Sequence, residues 1–139
     1  MTAREYLERP DAIQEEIRRK QIRIRVLRRL ATRFTPEISG VRVKSSPDAA
    51  RMQTFLAAAA DEEREIVSLE ERRKQALSES ALLISRLPEE KMIRIMEMRY
   101  LDKRCWEEIT DRMGIGASTV YRLHRLALDI LTPPPEAGS

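Results

Sequence analysis

Cysteine and histidine each occur once in this 139-residue chain, glycine occurs four times, and aromatic residues make up only 4% of it. A lone cysteine, Cys105, cannot close an intrachain disulfide and fits a reducing compartment. With His124 alone and no second cysteine, the several ligands that zinc takes are missing, so neither a metal nor a cofactor is expected. The four glycines form no glycine-rich phosphate loop. Little β-branched alternation argues against sheets. No apolar run approaches the roughly 20 residues of a membrane span, and the N-terminus has no signal-peptide core. A soluble cytoplasmic protein without a membrane partner is expected.

What is present favours helices. Apolar residues reach 42% and charged residues 35%, enough of the former to pack one core. Leu, Ala, Glu, Arg and Met dominate, all good helix formers, so the expected fold class is all-α. The net charge of +3 says little about partners, but its distribution says more. Arg18, Arg19, Lys20, Arg23, Arg25, Arg28, Arg29 and Arg33 follow one another without an intervening acid. Asp61, Glu62, Glu63, Glu65, Glu70 and Glu71 stand against Arg64 alone. If the chain folds back on itself, the two runs come near each other; contact of the basic run with DNA is the alternative.

The layout follows from capping and periodicity. Thr2 and Glu5 have the spacing of a capping box, so a short helix starts there. Pro10 interrupts it and sits in the first turn of a longer helix, over 10–34. Ile13, Ile17, Ile24, Leu27, Ala31 and Phe34 mark its apolar stripe, widened by Ile22, Val26 and Leu30. The N-terminal helical segment thus covers 1–35 and a linker covers 36–47, with Ser46 as N-cap and Pro47 opening the next helix. The long helix of 48–87 carries a sevenfold rhythm: Met52, Ala59, Ile66, Arg73, Ser80 and Leu87 in one series, Phe55, Glu62, Leu69, Ala76 and Leu83 in the other. Arg73, Ser80 and Glu62 interrupt a clean zipper. A further helix, "EEKMIRIMEMRYL", ends near Leu101, and the tail over 132–139 is expected to be disordered.

The segment "WEEITDRMGIGASTVYRLHRL" carries the functional signal. Trp106, Ile109 and Met113 supply an inward face, Gly114 a turn that tolerates a left-handed backbone, and Ile115 an apolar plug. Val120 and Leu123 bury the following helix. Its outward positions are Ala117, Ser118, Tyr121, Arg122 and Arg125, with no acid before Asp129, and Ser118 or Thr119 is expected near phosphate. Small polar groups, a phenol and two arginines suit phosphates and base edges. Each position alone also fits a helical corner that merely packs; the whole set matches a helix-turn-helix over 88–131. His124 is expected to be packed or phosphate-facing, Cys105 has no neighbouring base, and the Met92, Met96 and Met98 cluster reads as core. No enzyme is expected.

Arg99-Tyr100, Trp106 to Ile109 and Val120 to His124 also carry a family resemblance. From Leu87 to Leu131 the chain resembles region 4 of bacterial sigma factors, and within that group the phage-encoded RinA/ArpU-type transcriptional regulators. The resemblance implies a sequence-specific DNA-binding regulator of phage genes, acting in the bacterial host cell with host RNA polymerase. Cys105 departs from the serine or threonine usual there, leaving only Glu108 of that capping box. Gly116-Ala117 replaces a serine and a basic residue, which removes a DNA contact. A homodimer is expected, since two half-sites raise affinity and selectivity together, with Ile66–Leu69 as its seam. The rival functions are a DNA-recognition subunit of phage packaging machinery and a helical adaptor that binds protein.

Overall fold

The computed structural model describes residues 1–34 and 47–135. Among them the regular elements are helical: α1 (Ala3–Leu7), α2 (Arg9–Arg33), α3 (Pro47–Ile84), α4 (Glu90–Met96), α5 (Trp106–Met113) and α6 (Ala117–Ile130). The all-α class read from composition is what the chain adopts. Among the described residues no helix is long and apolar enough to cross a membrane. The Ser46 cap, the linker over 36–46 and residues 136–139 of the tail expected over 132–139 lie outside the described residues. Pro47, expected to open the long helix, is the first residue of α3, which ends at Ile84 rather than near 87.

The residues form two compact units. One comprises residues 1–12 and the chain from Arg73 onward; the other comprises 13–72. In the second unit α2 and α3 run antiparallel, since their partners follow in opposite order. Lys20 bonds Glu62 at 3.1 Å and also Glu65, Arg23 meets Glu62 at 3.6 Å, and Phe34 stacks on Phe55 at 5.8 Å. Arg28 pairs with Glu63 as well. The basic and acidic runs therefore neutralise part of each other.

The seam follows the heptad pattern, through one series on α2 and both series on α3. Ile17, Ile24 and Ala31 are buried on α2, and Ala59 and Leu69 on α3. Glu62, an apparent defect of the sevenfold rhythm, lies in that seam with a side chain only 13% exposed, and its partner Lys20 is 18% exposed. One polar interruption meets the other. Ile22 and Val26 do not widen the stripe: they are 38% and 47% exposed. The seam advances by three and four residues through Lys20, which turns positions 22 and 26 to solvent.

The first unit has one continuous core. Tyr6 and Leu7 of α1, Leu83 and Ile84 of α3, Ile95 and Met96 of α4, Ile109 of α5, and Val120 and Ala127 of α6 all contribute. Thr2 accepts from the Glu5 amide at 3.1 Å and Glu5 accepts from the Thr2 amide at 3.0 Å, the reciprocal cap that holds α1 in shape. The helix expected to run unbroken to Leu101 does not. After Met96 it widens into a π-helical turn, Glu97–Leu101, closed by Asp102 N–H donating to Glu97 C=O at 3.0 Å. This turn carries Met98 and Tyr100 into the core. Side-chain periodicity over five residues cannot distinguish this wider turn from an α-helical one.

Candidate nucleic-acid interface

α5 and α6 meet at a corner built by two glycines. Gly114 terminates α5 with φ 67° and ψ 25°, the left-handed conformation that side chains with a Cβ resist. Its N–H donates to Thr110 C=O at 3.1 Å. Gly116 takes the N-cap position of α6 in extended geometry and offers no side-chain cap. Ile115, between them, is half-buried against the core with Trp106 and Met113, while Ile109 and Val120 are fully buried. The first residue of α5 is also uncapped by a side chain. Glu108, the surviving member of the expected capping box, instead accepts from Arg104 Nη1 at 3.1 Å and from the Cys105 thiol at 3.6 Å.

On α6 the buried side is Val120, Leu123, His124 and Ala127. Of the residues expected to touch DNA, Ala117, Ser118, Tyr121, Arg122 and Arg125 are exposed, and Thr119 is half-buried. At 100° per residue, Ser118, Tyr121, Arg122 and Arg125 share the side of the helix opposite its buried stripe. Among the described residues neither Arg122 nor Arg125 pairs with a carboxylate. Both charges are therefore available to an anion.

His124 is not at the surface. It is 4% exposed, and its Nε2 lies 2.8 Å from the Tyr100 hydroxyl. Burial lowers its pKa to about 4, helped by the nearby positive charges of Arg4 and Arg99. Burial likewise pushes the Tyr100 phenol up. The ring is thus neutral near pH 7 and can accept the phenolic proton at Nε2. Trp106 stands edge-on to His124 at 4.7 Å and tilted against Tyr121 at 5.1 Å, with the Arg99 guanidinium 4.6 Å from the indole centre. This packing sets the outward angle of Tyr121. No group of three His, Cys, Asp or Glu side chains among the described residues is placed to hold a metal ion.

Residues 37–132, more than half of the chain, match the family described as "Protein of unknown function (DUF1492)". The chain belongs to this family. No curated protein and no solved structure matches it significantly. The span matched to DUF1492 takes in α3 to α6, including the whole α5–α6 corner, and leaves out α1 and α2.

One residue near the corner escaped the sequence reading. Arg4 of α1 lines an open cleft of about 480 Å³ together with Trp106, Ser118, Tyr121, His124 and Arg125. The separation of more than 100 positions between Arg4 and Trp106 conceals this. The only local signal was the capping box, which showed that α1 exists and not where it docks.

Proposed function

We propose that the chain is a sequence-specific DNA-binding transcription regulator. In this reading the α5–Gly114–α6 corner is a helix-turn-helix, preceded in the chain by the antiparallel pairing of α2 and α3. The start of α6 enters the major groove. The observation that carries the proposal is the two-sidedness of α6. Val120, Leu123 and Ala127 are buried on one side, while Ser118, Tyr121, Arg122 and Arg125 stand exposed on the other. No acid shares that outward face before Asp129, which suits a polyanion. An arginine bonded bidentately to guanine contributes about 1–3 kcal/mol of discrimination, so even one on this face gives a meaningful preference.

The finer assignment rests on resemblance. Leu87 to Leu131 resembles sigma-factor region 4 and the RinA/ArpU-type regulators, which supports control of phage genes in concert with host RNA polymerase. The association of the DUF1492 family with phages is in keeping with that assignment. A homodimer is part of the proposal, because one corner of this size offers little contact area. Its seam needs revision. Leu69 is already 4% exposed within the single chain, whereas Leu56 and Val67 of α3 are 43% and 67% exposed. These two lie eleven residues apart and so share a helix face. A second copy is better placed there than on Ile66–Leu69.

Selection of bound duplexes from a random DNA pool, with oligomeric state measured on the same sample, tests the reading. Enrichment of a defined sequence, bound by a protein that releases it as salt rises, is expected. No enrichment and no binding at low salt would sink the proposal in favour of an adaptor. A ring-shaped assembly bound to a packaging site would favour the packaging subunit.

A further inference from the structure

We infer that Arg4 of α1 belongs to the DNA-binding surface, and that the cleft it shares with Arg125 seats a stretch of sugar–phosphate backbone beside the groove that α6 enters. This rests on the proposed role of α6 and extends it to a residue outside the family-matched span.

The cleft combines two charged side chains with aromatic rings. Arg4 comes from α1 and Arg125 from α6, and Trp106, Tyr121, His124 and Ser118 complete its lining. α1 is too firmly seated for Arg4 to be there by chance of a loose terminus. Ala3, Tyr6 and Leu7 are buried, and the Thr2–Glu5 cap closes the helix start. Arg9 Nε donates to Tyr6 C=O at 2.9 Å behind it. Arg4 itself is exposed and, among the described residues, pairs with no carboxylate. Glu5, its nearest acid in sequence, is turned back onto Thr2. The Arg4 charge nevertheless reaches the cleft, where after burial it is the next influence keeping His124 neutral.

Two guanidinium groups, Arg4 and Arg125, thus share this cleft with apolar ring surface. A sugar–phosphate backbone presents the complementary pattern, an anion flanked by the apolar face of a deoxyribose. An enclosed small-molecule site normally buries most of its ligand, whereas this cleft lies open along the same side of α6 that carries Ser118 and Tyr121. The geometry also separates two arginines that the sequence treats as equivalent. Arg125 lines the cleft and Arg122 does not. Arg125 and Arg4 therefore hold backbone, and Arg122 is left to the bases.

The test measures binding of the full chain to the selected duplex and a random duplex at two salt concentrations. Arg4→Gln is expected to weaken both duplexes alike, by about fivefold near 0.15 M salt, and to flatten the log–log salt slope by about 0.9. Arg4→Lys should restore most of this. Arg125→Ala should behave as Arg4→Gln does, while Arg122→Ala should mainly lose preference for the selected sequence. If Arg4→Gln binds like wild type while the two α6 variants are impaired, the cleft inference falls and the reading of α6 stands. If all three bind like wild type, the reading of α6 falls and the cleft with it. Wild-type protein gives a check independent of folding. Modification of Arg4 by phenylglyoxal, read by mass spectrometry, should slow in the presence of the selected duplex as that of Arg125 does. Protection of Arg125 with unchanged reactivity of Arg4 would overturn the inference.

Discussion

At the scale of single residues, the buried pair Tyr100–His124 ties stability to pH. The folded imidazole titrates at about 4, and an unfolded one near 6.5. On acidification the unfolded chain takes up the proton first, so the pair's contribution is complete above about pH 6.5 and drains away as pH falls toward 4. Thermal melts of His124→Gln should lack the loss of stability that wild type shows across this window. Parallel losses in both proteins would refute the assignment. Tyr100→Phe leaves Nε2 buried without its partner and should cost about 1–3 kcal/mol in urea denaturation. Gly114 makes a separate point. A Cβ added there meets nothing within 4 Å, so only its φ of +67° resists substitution. Gly114→Ala should cost about 1 kcal/mol, and Gly114→Asn less, because asparagine tolerates this backbone better. Equal costs for the two would show that something other than the backbone angle is at stake.

At the scale of elements, the α2–α3 seam shows how a polar pair can set register. Lys20 and Glu62 both occupy seam positions, and the lysine's own pKa is raised by its bonds to Glu65 and Glu62. Any shift of one helix along the other by a turn would strand each charge against aliphatic neighbours. Replacing one partner alone leaves the other's charge in the seam with only a more exposed counterpart, Glu65 for Lys20 or Arg23 for Glu62; replacing both by residues of similar size removes both charges from the seam. Lys20→Met and Glu62→Leu should each lower the melting temperature, while the double variant should melt at or above wild type. Additive losses in the double variant would mean the pair is not coupled. The double variant should also tolerate alternative helix registers, visible as broadened amide resonances from residues near the seam.

At the scale of the whole molecule, the proposed function requires two copies on one DNA. Sedimentation with the selected duplex should give two chains per duplex. Val67→Glu should reduce this to one while leaving the helical circular dichroism unchanged, since Val67 is 67% exposed in the single chain. Two chains per duplex with Val67→Glu would place the contact elsewhere. The logarithm of affinity should fall linearly with the logarithm of salt concentration, with a slope that counts the phosphates neutralised. A salt-independent affinity would argue against a polyanion as partner.

Several of these features were legible in the sequence because they depend on neighbours along the chain. Helix class follows from residue propensities, the Thr2–Glu5 cap from a three-residue spacing, the Gly114 turn from the one residue type that accepts its backbone angle, and the two faces of α6 from a period of 3.6. The heptad series of α3 was readable too, yet its polar members looked like flaws, because their meaning lies in Lys20, a residue 42 positions away from Glu62. The π-helical turn at Glu97–Leu101 has no side-chain signature of its own and is visible only in its backbone bonds. His124 and Tyr100 find each other across 24 positions. Arg4 reaches the α6 cleft across the whole length of the chain, because the hydrophobic burial of Tyr6 and Leu7 decides where α1 docks. Local spacing determined which elements form and which faces they present; burial of side chains remote in sequence decided which charges share a surface.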